Sequence, residues 1–157
     1  MLRPVKTVRR RKSSGSFVIV ASRYNERYVN GMLSAAKAEL NRAGASVRVI
    51  RVPGAFEIPA VAAKVADDGA GGTGRVSGII CLGVIFQGQT SHAQHIGWGV
   101  THALAQIQVQ YRLPVIHGVF VFEKKEHAAV RCLGKKHNRG TEAARTALEM
   151  ARVMADS

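Results

Sequence analysis

The sequence predicts one three-layer α/β domain, a four-stranded parallel sheet with helices on both faces. Three observations lead there. Four short apolar runs rich in β-branched residues alternate with longer segments whose apolar residues recur at helical spacing. The short runs are nearly continuous in apolar character, as strands covered on both faces require. A length of 157 residues suits one domain and is too short for two full ones. No internal repeat is found.

Residues 1–16 stand outside the alternation. They carry Arg3, Lys6, Arg9, Arg10, Arg11 and Lys12 and close on Ser13-Ser-Gly-Ser16, which predicts a flexible basic arm before a domain over residues 17–157. Residues 17–21 are the first strand, and 22–26 are polar and turn-like. Val29, Met32, Leu33, Ala36, Leu40 and Ala43 then mark a helix. Its other side holds Arg27, Asn30, Ser34, Lys37 and Asn41, and Gly44 stops it. Residues 47–52 are the second strand, ended by Pro53-Gly54. The alanine-rich stretch 58–66 is helical, with Pro59 tolerated in its first turn. The glycines between 69 and 74 predict a surface loop. Residues 78–82 are the third strand and 83–91 a connection. A long helix follows, with Ile96, Val100, Ala103, Leu104, Ile107 and Tyr111 on one face. Residues 114–122 are the fourth strand, and 124–133 a basic helical segment. The last helix runs from Thr141 to Met154, with Ala144, Ala147, Leu148, Ala151 and Met154 inward.

Composition narrows the class. Apolar residues at 46% with 21% charged describe a globular chain. No apolar stretch approaches the roughly 20 residues of a membrane helix. The first residues lack the apolar core of a secretory signal, and two cysteines, Cys81 and Cys132, cannot make a disulfide framework. The expected address is the cytoplasm. The charge, 23 − 10 = +13, predicts attraction to phosphate on a polymer or a small metabolite. For the arm a solvated tail is the simpler account, so neither nucleic acid nor membrane is the expected partner.

In an open parallel sheet, ligands bind beyond the carboxyl ends of the strands. The segments there are residues 22–26, 53–57, 83–92 and 120–126. Tyr24 and Phe56 offer flat apolar faces and Glu57 a carboxylate. Gly88-Gln-Thr-Ser-His92 opens a helix, whose free N–H groups bind anions together with the Thr90 and Ser91 hydroxyls. An ordinary N-cap explains either hydroxyl equally well, and the Walker A ending is absent. His92, beside a helix N-terminus, is the candidate base, with a capping or packing histidine as the alternative. His95 and His102 lie on nearby turns, yet no cysteine or carboxylate accompanies them along the helix, so no metal is expected. The stretch Arg131-Cys-Leu-Gly-Lys135-Lys136-His137-Asn138-Arg139 is either a second anion grip or a solvated basic face.

From residue 17 to residue 154 the chain resembles the lumazine synthase family. The resemblance rests on Tyr24-Asn25, Val52-Pro-Gly-Ala-Phe-Glu-Ile-Pro59, Leu82-Gly83 with Gly88-Gln-Thr-Ser-His92, Pro114-Val115 with Gly118, Arg131, and Asn138-Arg-Gly140. It implies a flavodoxin-like fold and an enzyme of riboflavin biosynthesis without metal or organic cofactor. That enzyme condenses 5-amino-6-(D-ribitylamino)uracil with 3,4-dihydroxy-2-butanone 4-phosphate to 6,7-dimethyl-8-ribityllumazine, phosphate and water. It also implies pentamers with active sites shared between subunits. The uninterrupted spacing from Arg131 to Asn138 is similar to members that build sixty-subunit shells, for which riboflavin synthase is a cargo.

Carried onto this chain, the resemblance makes Tyr24 the pyrimidine platform. Ala55, Phe56 and Glu57 line the ribityl and pyrimidine pocket. Val84, Ile85 and Phe86 supply backbone contacts, Gln89 and Thr90 cradle the butanone phosphate, and His92 shuttles protons. Arg131 of the adjacent subunit clamps the phosphate, and His117, where the family usually has Phe, faces the pyrimidine from that neighbour. Two more departures are Gln87 for a frequent Arg or Lys and Arg139 for a Lys. Two other classes stay open on the residues alone: a noncatalytic shell protein, and an archaeal-type riboflavin synthase.

Overall fold

The computed structural model describes residues 15–70 and 74–157, so the basic arm up to residue 14 and the centre of the glycine loop lie outside the description. Four strands form one parallel sheet: β1 (Ser16–Ser22), β2 (Ser46–Val52), β3 (Gly78–Phe86) and β4 (Val115–Phe122), in the order β2-β1-β3-β4. Ile19 sits beside Val49 on one side and Ile80 on the other, and Ile80 beside Ile116. This is the expected three-layer α/β domain, with flavodoxin-like strand order.

Parallel strands need long return connections, and here each is a helix. Helices α1 (Glu26–Arg42), α4 (Lys125–Cys132) and α5 (Arg139–Asp156) cover one face, and α2 (Ile58–Gly69) and α3 (His92–Tyr111) the other. Successive side chains of β1 supply both cores. Phe17, Ile19 and Ala21 pack with Met32, Leu40 and Ala144. Val18 and Val20 pack with Ile58, Ala62 and Leu104.

Helices α1 and α5 meet closely because Gly140 has no side chain. A Cβ there would run into the Met32 carbonyl, and one at Gly31 into the Cys132 carbonyl. Buried Asn138 closes the junction: its side chain accepts from the Gly140 N–H at 2.8 Å and donates to the Cys132 carbonyl at 2.9 Å. That cap starts α5 at Arg139, two residues before Thr141, and near the helix's other end Met154 is exposed rather than inward.

The larger difference is in β3. The sequence suggests a break after Leu82, but pairing with β4 continues to Phe86 opposite Phe122. Gly83 is not a breaker. Its missing Cβ leaves room for Ile58, Ser22 and Ala55, which would otherwise lie 3.2–3.4 Å away.

Substituting Gly140 by Ala should cost about 1–3 kcal/mol, because a backbone carbonyl in a packed helix pair cannot step aside as a side chain can. Urea unfolding checks this: an unchanged midpoint would show that α1 and α5 separate freely.

Candidate active site

The connections leaving β1 and β3 run to opposite sides of the sheet, α1 over one face and α3 over the other. Between the two strands' carboxyl ends they leave a cleft of about 840 Å³, the usual ligand position in this topology. It is lined by Tyr24 and Asn25 after β1, by Gly54, Ala55, Phe56 and Glu57 after β2, by Val84, Ile85 and Phe86 of β3, and by His92, His95 and Ile96 of α3. Tyr24 is 68% exposed and Phe56 64%, so two large apolar faces stand in solvent at its mouth.

Backbone bonds hold these loops in place. The Arg23 and Tyr24 N–H groups donate to the Pro53 carbonyl at 3.1 and 3.0 Å, strapping the end of β1 to the loop after β2. Arg51 braces that junction from below, donating to the Ala21 and Ser22 carbonyls and to Asn30 Oδ1. Asn25 takes the left-handed conformation, φ 60°, which Asn tolerates better than most residues, and its Nδ2 donates to the Val84 carbonyl at 2.7 Å. Gly54 lets the Tyr24 ring lie against the backbone, since a Cβ there would be 2.9 Å from it.

The 6,7-dimethyl-8-ribityllumazine synthase family profile matches residues 14–155. Two 6,7-dimethyl-8-ribityllumazine synthases of Xanthomonas campestris pv. campestris, from strains B100 and 8004, are each 36% identical over 147 residues. Each alignment covers 92% of this chain and 92% of the relative. The chain belongs to the lumazine synthase family.

Eight of the residues expected for a lumazine synthase site meet at the cleft: Tyr24, Ala55, Phe56, Glu57, Val84, Ile85, Phe86 and His92. Gln89 and Thr90 do not line it; they lie exposed on the turn leading to His92. The Thr90 hydroxyl accepts from the His92 N–H at 3.4 Å, a long contact at the helix start. Sequence reasoning passed over four lining residues. Asn25 and Gly54 sat inside quoted motifs without a role, and their signal is turn chemistry. Ile96 was assigned to the buried helix face. His95, weighed only as a metal ligand, places Nε2 3.1 Å from Ser91 Oγ. Among the described residues no group of three or more His, Cys, Asp or Glu could hold a metal ion.

Arg131 and His117 do not line the same protomer's cleft. Arg131 is half-buried in the last turn of α4. His117 lies on edge strand β4 beside a second cavity of about 390 Å³, shared with Phe120, Arg139 and Glu142. Arg139, which lines that cavity too, sets its guanidinium over the Phe120 ring at 5.9 Å.

Burial lowers the His117 imidazole below the ordinary histidine value, outweighing a hydrogen-bond contribution in the other direction. As pH falls through about 6.5, the unfolded chain protonates there before the folded chain does, so this contribution to stability falls with pH; the ring is exposed on the protomer's surface, which keeps the effect small. Replacing His117 by Phe should reduce the drop in urea midpoint between about pH 7.5 and about pH 5.5. Equal drops in parent and variant would show that the folded ring titrates normally.

Proposed function

We propose that the cleft condenses 5-amino-6-(D-ribitylamino)uracil with 3,4-dihydroxy-2-butanone 4-phosphate, releasing phosphate and water. The chain is a transferase of riboflavin biosynthesis that forms 6,7-dimethyl-8-ribityllumazine. The observation that carries the reading is the grouping of Tyr24, Phe56, Glu57 and His92 around one cleft in a chain of this family. Tyr24 and Phe56 give the pyrimidine flat faces, and Glu57 accepts hydrogen bonds from ribityl hydroxyls. The edges of Val84, Ile85 and Phe86 read the ring through the backbone. His92, at the first turn of α3, moves protons during imine formation and phosphate departure.

The charge of the cleft supports a shared site. No lysine or arginine lines it among the described residues, yet the butanone substrate brings a phosphate. Gln89 and Thr90 with the start of α3 offer dipoles, and a cation must come from outside the protomer. In this reading Arg131 of a neighbouring subunit supplies it, and that neighbour's His117 faces the pyrimidine. Exposed Trp98 and Val109 on α3 give subunits an apolar surface to bury, which supports association between copies, in this reading as pentamers. The proposal extends to a cytoplasmic sixty-subunit shell with riboflavin synthase as cargo. Buried free Cys81 and Cys132 suit a reducing compartment.

Growth of lumazine absorbance and fluorescence from the two substrates tests the function. Product formed from lumazine alone would instead indicate a riboflavin synthase, and a folded oligomer without turnover a shell protein. Arg131→Ala should raise the requirement for the butanone phosphate about tenfold to a hundredfold, and for the pyrimidine much less. Equal weakening of both would remove Arg131 from the phosphate. His92→Ala should lower the maximal rate by roughly 10²-fold, within whatever floor the uncatalysed condensation sets. A rate within about twofold of the parent would return His92 to a capping role.

A further inference from the structure

Both nitrogens of the His117 ring are engaged inside its own chain. The Val119 N–H lies 3.1 Å from Nδ1. A backbone amide only donates, so Nδ1 accepts and carries no proton. The proton of the neutral ring is then on Nε2, which lies 2.7 Å from Thr101 Oγ1, and the hydroxyl accepts it. We infer that Thr101 is a positioning residue: with the Val119 amide fixing the neutral Nε2–H tautomer, its hydroxyl takes up the remaining ring N–H and holds the ring in place, so that the imidazole meets the pyrimidine as a flat ring face and not as a proton donor or acceptor. This rests on the proposal that His117 faces a neighbour's pyrimidine.

The groups around the ring agree. Helix α3 contributes Thr101 and Gln108, and the Gln108 Oε1 is occupied by the Val115 N–H at 2.9 Å. His102, next along α3, turns toward Trp98, with ring centres 6.4 Å apart. Helix α5 contributes Arg139 and Glu142, which form an ion pair with each other. Glu142, the carboxylate lining that cavity, is thus paired with Arg139, and no hydrogen bond joins it to the ring among the described residues. On β3 the register partner is Cys81, whose thiol burial pushes up to about 12, so it stays uncharged at neutral pH. Adding a proton to Nδ1 would break the Val119 bond and set two N–H groups against each other. A ring with both edges occupied offers substrate only its faces, which is what a phenyl ring at this position would offer. Polar histidine can thus stand where an aromatic hydrocarbon serves.

Solid-state nitrogen NMR of the histidine-labelled assembled protein, with the His117 signals assigned by their loss in His117→Phe, reads the tautomer directly. The parent should show the Nε2–H form alone at neutral pH. Thr101→Val should keep the Nε2–H tautomer, because the Val119 amide still needs an acceptor, but should shift the Nε2 signal as its bond is lost and raise the pyrimidine KM about threefold to tenfold, the worth of one neutral hydrogen bond. Its kcat and its KM for the butanone phosphate should stay near the parent's, and Thr101→Ser should restore both the Nε2 signal and the KM. An Nδ1–H or protonated ring in the parent would overturn the inference, as would a Thr101→Val protein with an unchanged Nε2 signal. If His117→Phe alters the pyrimidine KM and Thr101→Val does not, the positioning role alone fails. If neither variant alters it, the placement of His117 at the substrate fails too.

Discussion

Because β1 is paired on both sides, with β2 on one flank and β3 on the other, the chain must leave β1 in one direction and β3 in the opposite one. Parallel strands cannot be joined by hairpins, so each departure is a helix, and the two helices settle on opposite faces. The carboxyl ends of β1 and β3 are therefore neighbours with nothing packed between them. The cleft is this gap. Its walls are stiffened by the Asn25 amide on the Val84 carbonyl, the backbone strap to Pro53, and Arg51 beneath.

The cleft shows what a single protomer lacks. Its lining offers aromatic faces, a carboxylate and two imidazoles, without a lysine or arginine among the described residues. The chain as a whole carries a net charge of +13, so the deficit is local. The proposed sharing between subunits would reconcile the two facts: a basic surface elsewhere on the molecule would supply the cation by symmetry, and each protomer would both give and receive. A site divided in this way would tie catalysis to assembly, because no isolated subunit could complete its own phosphate grip.

In the proposed site, His117 would keep a physical role through a change of residue type. In water an imidazole is a titrating group with two hydrogen-bonding edges. On β4 both edges are consumed by Val119 and Thr101, and burial disfavours the charged form. What remains is an uncharged ring face. The residue's chemistry thus depends on a threonine sixteen positions earlier in the chain, on a different element.

Periodicity alone carried the fold class. Apolar β-branched runs alternating with helix-spaced segments describe a covered parallel sheet, and the burial of β1, β3, α1 and α5 follows those spacings closely. The Tyr24, Phe56, Glu57 and His92 positions were also legible, because each follows a strand end and strand ends gather on one side. The true end of β3 was not, since Gly83 signals a turn in sequence while in the fold it makes room for Ile58 and Ala55. Nor were Asn25 as a wall clamp, the capping of α5 by Asn138, or the pairing of Thr101 with His117. Local sequence determines which segments are strand or helix because backbone propensity and hydrophobic period act over a few residues. Close approaches and hydrogen bonds between distant segments depend on how those elements pack, and only the tertiary structure decided them.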